Sequence, residues 1–255
     1  MRRAVLLIAV AACGRVGFDP LDLGHDEDED GIADTDDVCP HVPDAQADGD
    51  GDRVGDACDP NATEPRDRIS LFATMRSGDQ PLNPTFTTGT FEQRDDSLEL
   101  VGVDPNGHVS AHLEMPLVVG DVRLAIGFDV IDRIDPTPQN QFAVGIKQGL
   151  PFYYVELNES VIELPPYHLA SITGWDGTIF FAGDARDLVS NLHPGPVFFQ
   201  TTQRVGTGVR FEVAWPDEPY VAEVLDAIYQ GGTELEININ NIHVEIRWLC
   251  VITSS

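Results

Sequence analysis

The chain has 255 residues and carries 43 Asp and Glu against 15 Lys and Arg, a formal net charge of −28. That balance, with Lys147 the single lysine, argues against the clustered cations that hold nucleic-acid phosphates. The length allows one folded domain of moderate size with appendages.

Residues 1–13 read MRRAVLLIAVAAC. The apolar run behind Arg2 and Arg3 is too short to cross a bilayer as a helix, which makes it an export signal. Its ending, Val10-Ala11-Ala12-Cys13, resembles a bacterial lipobox. That resemblance implies lipidation of Cys13 and attachment to the bacterial cell envelope, at the outer membrane or cell surface. An ordinary secretory signal cleaved near the same point is the other reading. Either route leaves the cytoplasm, where disulfides persist. Residues 14–25 form a short tether.

The segment 26–60 is the densest in acid, with no Lys or Arg before Arg53. Such like charge stays solvated and extended unless cations neutralise it. The spacing favours cations. Asp26, Asp28, Asp30, Asp34 and Asp37 stand at positions 1, 3, 5, 9 and 12 of a twelve-residue loop, with Gly31 at position 6 and the Ile32 carbonyl at 7. This is the oxygen-ligand order of an EF-hand-type Ca2+ loop. It recurs as Asp48, Asp50, Asp52, Val54, Asp56 and Asp59, with Arg53 in the place of the glycine. Pro and Gly flank both loops, so no EF-hand helix pair forms. Cys39 and Cys58 lie at a separation suited to a disulfide, which would contribute about 3 kcal/mol by restricting the unfolded chain. Together, DxDxDGxxDxxDxCP and QxDxDxDxxGDACD resemble the thrombospondin type 3 repeat. The resemblance implies a chain wound around calcium with little regular secondary structure.

Residues 61–68 read as a polar linker, and the texture changes from residue 69 to 255. Short alternating apolar runs separated by Gly, Pro, Asn and Asp predict a mainly β, antiparallel sandwich. Predicted strands include the alternating runs at 109–115 and 122–130, FTTGTFE from Phe86, QFAVGIK from Gln141, FYYVEL from Phe152, VFFQTT from Val197 and GVRFEVAW from Gly208. Only Val221 to Tyr229 reads as a helix. Asn240 and Asn241 tolerate positive φ and predict a two-residue hairpin turn that pairs Ile239 with Ile242 and Ile237 with Val244. After Arg247 both faces of the closing strand are apolar, which places it centrally in a sheet and buries Cys250 as an inert thiol. In texture the domain resembles the concanavalin A-like or laminin G-like group. That resemblance implies a jelly-roll sandwich whose concave face or rim loops bind sugars.

No GxSxG elbow, HExxH pair, phosphate loop or CxxC pair occurs, and the reading is of a protein without catalytic residues. The predicted hairpin would gather Glu236, Glu245, Asn238 and His243 on one face, for which a solvated sheet face is the plainer account. Tyr153, Tyr154, Trp175 and Asp176 are candidates for a sugar-stacking platform. The expectation is a calcium-binding surface lipoprotein. In it a calcium-stiffened spacer presents a lectin-like sandwich for adhesion, to a glycan or surface protein. A carbohydrate-active hydrolase and a purely structural envelope protein are the alternatives.

Overall fold

The computed structural model describes residues 24–76, 85–86, 90–102, 108–118, 121–133, 140–147, 152–160, 167–175, 180–187, 195–204, 208–214, 220–225 and 232–254. The export signal with Cys13, and most of the tether, lie outside these residues. In chain order the strands are β1 (Asp67–Thr74), β2 (Thr85–Phe86), β3 (Thr90–Gln93), β4 (Leu98–Val101), β5 (His108–Val118), β6 (Asp121–Arg133), β7 (Asn140–Lys147) and β8 (Phe152–Ser160). They continue as β9 (Tyr167–Trp175), β10 (Phe180–Asp187), β11 (Gly195–Arg204), β12 (Gly208–Ala214), β13 (Tyr220–Leu225), β14 (Gly232–Asn240) and β15 (Ile242–Ser254).

Two antiparallel sheets form. One runs β13-β12-β11-β6-β15; the far edge of β15 is then shared, with β1 along its second half and β4, followed by β3, along its first. The other runs β10-β9-β8-β7-β14-β5-β2. The core is the layer between them. Leu124, Ile126 and Phe128 of β6 and Ile242, Val244 and Ile246 of β15 are buried, as are Phe142, Val144 and Ile146 of β7 and Leu235, Ile237 and Ile239 of β14. Phe128 stacks on Phe142 with ring centroids 4.0 Å apart. Each such side chain contributes about 1.5–3 kcal/mol when fully buried.

Three sequence expectations are corrected. Asn241 does take positive φ, at 51°, yet Asn240 and Asn241 do not close a hairpin. The chain passes from one sheet to the other, with β14 paired to β5 and β7 and β15 paired to β6, β4 and β1. The apolar rows of β14 and β15 each need a facing layer, and crossing sheets supplies it. Glu236 and Glu245 consequently lie in different sheets and form no common face. The segment from Tyr220 to Leu225 is a strand, not a helix, because Val221 and Val224 extend the open edge of β12; residues 226–229 lie outside the described residues. The FTTGTFE run is divided, with β2 in one sheet and β3 in the other.

Residues 24–66 wind without helix or strand, and they do not stand off as a spacer. Cys39, Val54 and Cys58, with Val42 beside them, pack against Trp248, Cys250 and Ile252 of β15, Ala125 of β6, and Ile69 and Phe72 of β1. A bulge between Ile246 and Trp248 flips the alternation of β15. The face that carries His243, Glu245 and Arg247 therefore continues as Trp248, Cys250 and Ile252, directly beneath the repeat. That covering is why β15 is apolar on both sides after Arg247. Cys250 is buried and unpaired by any disulfide, and burial pushes its thiol up to about 12. The polar linker is short, since β1 already begins at Asp67.

Candidate functional site

The two acidic loops fold alike, residue for residue. The N–H of Gly31 donates to Asp26 Oδ2 at 2.9 Å, and that of Arg53 to Asp48 Oδ2 at 3.0 Å. Ile32 N–H donates to Asp30 Oδ1 at 2.8 Å, and Val54 N–H to Asp52 Oδ1 at 2.9 Å. Position 6 takes positive φ in both loops, 96° at Gly31 and 79° at Arg53. Position 4 does the same, 63° at Glu29 and 86° at Gly51. The curl is thus the same whichever of the two positions holds the glycine.

The curl gathers carboxylates into four groups whose oxygens lie within 4.8 Å of one another: Asp26 with Asp28 and Asp30, Asp30 with Asp37 and Asp44, Asp48 with Asp50 and Asp52, and Asp52 with Asp59 and Asp67. Asp30 and Asp52 each belong to two groups. Six oxygens in them are buried without a hydrogen-bond donor, namely Asp26 Oδ1, Asp28 Oδ2, Asp37 Oδ2, Asp44 Oδ2, Asp50 Oδ2 and Asp59 Oδ2. Burial and then the surrounding carboxylates, chiefly Asp37, push Asp28 up to about 6. Burial and the Asp67 carboxyl push Asp59 up to about 7. An all-oxygen anionic donor set of this kind fits a hard divalent cation such as Ca2+. Such an ion would supply the positive charge that the orphaned oxygens face without.

Asp34 and Asp56 are not brought into these groups. Asp34 accepts from Glu27 N–H at 2.8 Å and bonds His25 Nδ1 at 2.8 Å; Asp56 accepts from Gly49 N–H at 2.7 Å. Both brace the loop backbone. Asp44, Asp67 and Gln46 are the residues that sequence spacing missed. Gln46, at φ 58°, donates through Nε2 to Asp37 Oδ1 at 2.7 Å and to Asp44 Oδ1 at 3.1 Å. A signal for Asp44 existed, since Asp30, Asp37 and Asp44 are evenly spaced. The Cys39–Cys58 disulfide forms, with Cα atoms 5.7 Å apart.

On the second sheet, His112 Nδ1 lies 2.7 Å from Glu234 Oε1, beside the buried Glu236. Ser110 Oγ donates to Asn238 Oδ1 at 2.5 Å. The row continues through the backbone pairs Glu236 with Gly145, Gly145 with Tyr154 and Tyr154 with Thr173. Tyr153 pairs with Gly174 and Trp175 with Phe152, so these three sequence candidates sit on adjacent strands, while Asp176 lies outside the described residues. Glu99 of the first sheet bonds Arg94 Nε at 2.8 Å and pairs with His243.

No protein-family model matches this sequence, and no curated protein sequence is similar to it. Solved structures are similar in fold. The CBM2 module of the evolved Dit protein of Lactobacillus casei BL23 phage J-1 superposes with a TM-score of 0.58 at 9% identity, over 74% of this chain and 96% of that one. A Bacillus subtilis protein with a galectin-like fold gives 0.53 at 12% identity, over 73% and 97%. The chain has a galectin-like, lectin-type β-sandwich. The exoplasmic/lumenal domain of VIP36, in its Ca2+ and Man3GlcNAc-bound form, gives 0.56 at 10% identity, over 70% of this chain and 86% of that one. The acidic loops add a further layer on the outer side of the first sheet, against β15, β6 and β1.

Proposed function

We propose that this protein is a calcium-binding, glycan-binding lipoprotein of the bacterial cell surface. Its repeat, of thrombospondin type 3 kind, holds Ca2+ through Asp26, Asp28, Asp30, Asp37 and Asp44 in one half and Asp48, Asp50, Asp52 and Asp59 in the other. The observation that carries the calcium reading is the set of six buried carboxylate oxygens without donors, four in the first half and two in the second, of which Asp28 with Asp50 and Asp37 with Asp59 stand at matching places. The lectin-type fold, shared with a domain that binds Ca2+ and Man3GlcNAc, supports glycan binding by the sandwich. Cys13 carries the lipid, and the mature chain serves adhesion.

In this reading calcium acts structurally. It neutralises the loops and fixes them on the first sheet, leaving the second sheet and the rim loops for the ligand. Dissociation constants on the order of 10⁻⁴ to 10⁻³ M are expected, as in extracellular modules. The test is a glycan and envelope-polysaccharide panel probed with the soluble chain from Gly14, in calcium and in chelator. Binding to a defined glycan is the expected result, and because the loops sit on the opposite sheet it should persist in chelator. No binding at any calcium concentration overturns the glycan reading, and no calcium uptake overturns the calcium reading.

A further inference from the structure

Three of the four carboxylate groups lie wholly within the repeat, and the fourth does not. Asp67, the first residue of β1, lies with Asp52 and Asp59 within 4.8 Å. The two halves of the repeat explain why. Asp30 corresponds to Asp52 and Asp37 to Asp59, and the place that Asp44 fills in the first half is filled in the second by Asp67. Asp59 is 8% exposed, yet its Oδ2 has no donor, as is true of Asp37 Oδ2 at the matching place. Asp67 is itself 4% exposed.

Asp67 is also tied into the sandwich. Its N–H donates to Asp52 Oδ2 at 2.7 Å. Ser254, its partner in the β1–β15 ladder, donates through Oγ to Asp67 Oδ1, and Asn61 Nδ2 donates to Asp67 Oδ2 at 3.0 Å. A cation held by Asp52, Asp59 and Asp67 would therefore bind the repeat, the start of β1 and the end of β15 at once. We infer that Asp67 is a calcium ligand and that this shared site clamps the repeat to the sandwich. The inference rests on the calcium reading above and adds that loading is transmitted to the first strand.

The test uses the full soluble chain with Ca2+ as the probe, comparing wild type, Asp67→Asn and Asp44→Asn. Calorimetry counts the ions, and amide hydrogen exchange follows residues 67–72. Both variants should bind one ion fewer than wild type. In wild type, calcium at a hundred times its dissociation constant should slow exchange at 67–72 about a hundredfold, the factor 1 + [L]/Kd. Asp44→Asn should keep most of that protection, and Asp67→Asn should lose it. In chelator Asp67→Asn should unfold as cooperatively as wild type and melt close to it, because relief of repulsion among three carboxylates offsets the acceptor lost toward Ser254 or Asn61. That result separates loss of a ligand from failure to fold. Unchanged ion count in Asp67→Asn overturns the inference alone. Protection at 67–72 that ignores calcium in wild type also overturns it. No calcium uptake by wild type overturns the calcium reading beneath it.

Discussion

The imidazole of His41 and the indole of Trp248 meet across the seam between repeat and sandwich, with ring centroids 5.0 Å apart and planes inclined at 49°. His41 comes from the turn after Cys39, and Trp248 from the residue at which the bulge flips β15. Burial, and then the positive charge of Arg123, push His41 down to about 4. Arg123 also donates through Nη1 to the Cys58 carbonyl at 2.8 Å. The seam thus joins a neutral histidine, an aromatic anchor and the disulfide.

The first prediction follows from that histidine. Its folded pKa lies below the unfolded value of about 6.5, so the unfolded chain binds the extra proton as pH falls. The contribution of neutral His41 is full above about pH 6.5, declines through the window down to about pH 4, and is gone below it. The loss amounts to about 3 kcal/mol at most. Carboxylates titrate in part of this window, so the measurement is the difference in unfolding free energy between wild type and His41→Phe, taken from pH 7.5 to 4. The gap should move in favour of His41→Phe as pH falls, and a gap independent of pH would rule out a buried neutral His41.

A second prediction concerns the floor beneath the indole. A Cβ added at Gly127 of β6 would collide with ring atoms of Trp248, its partner in the β6–β15 ladder. Gly127→Ala should therefore displace the indole and cost about 1–3 kcal/mol as overpacking. Tryptophan fluorescence and chemical denaturation would show it. Combining Gly127→Ala with Trp248→Phe should cost less than the sum of the two single changes, because the clash disappears with the larger ring.

Much of this architecture was legible in the sequence, where local chemistry decided it. The curl at positions 1, 3 and 5 of each loop was readable because alternate side chains converge there, and Arg53 takes the positive φ without a glycine. Spacing did not give the full set: Asp34 and Asp56 turn to brace the backbone, and Asp44 and Asp67 join the groups instead. The strands were readable from alternation. What could not be read was long-range. Asn240 and Asn241 permit a turn but do not say whether the strands beyond it pair or separate into facing layers. The two-sided apolarity after Arg247 signalled a covered strand without naming the cover, which proves to be Cys39, Val54 and Cys58. Asp67 escaped notice because the sequence puts it in the polar linker, whereas the fold makes it the first residue of β1 and brings it against Asp52 and Asp59.

The disulfide leads to a third prediction. Cys39 and Cys58 are 0% and 2% exposed on the inner side of the repeat, in one buried cluster with Trp248 and Ile252. Replacing both by serine removes the constraint on the unfolded chain, worth about 3 kcal/mol for a loop of this order. It also puts hydroxyls into an apolar seam, so the double change to alanine should be the milder one. Thermal unfolding in calcium should rank wild type above Cys39→Ala/Cys58→Ala, and that above Cys39→Ser/Cys58→Ser. Equal stability of all three would mean that the staple contributes nothing once the ions are bound.

The last prediction uses the exchange of glycine between positions 4 and 6 of the loops. Gly31 and Gly51 have open space where a Cβ would go, so replacing either by alanine tests backbone conformation without a steric clash. Each should cost about 1 kcal/mol or more, because a left-handed φ disfavours a side chain. Arg53, at φ 79°, and Glu29, at φ 63°, already bear that cost. Arg53→Gly should therefore stabilise the calcium-loaded protein by about 0.5–1 kcal/mol. Losing a positive charge among carboxylates acts in the opposite direction, so the proper reference is Arg53→Ala, which removes the same charge but keeps the strained φ. Denaturation in saturating calcium should place Arg53→Gly above Arg53→Ala, and Glu29→Gly above Glu29→Ala. If glycine and alanine proved equivalent at both positions, the two loops would not share the backbone curl on which their common set of carboxylates depends.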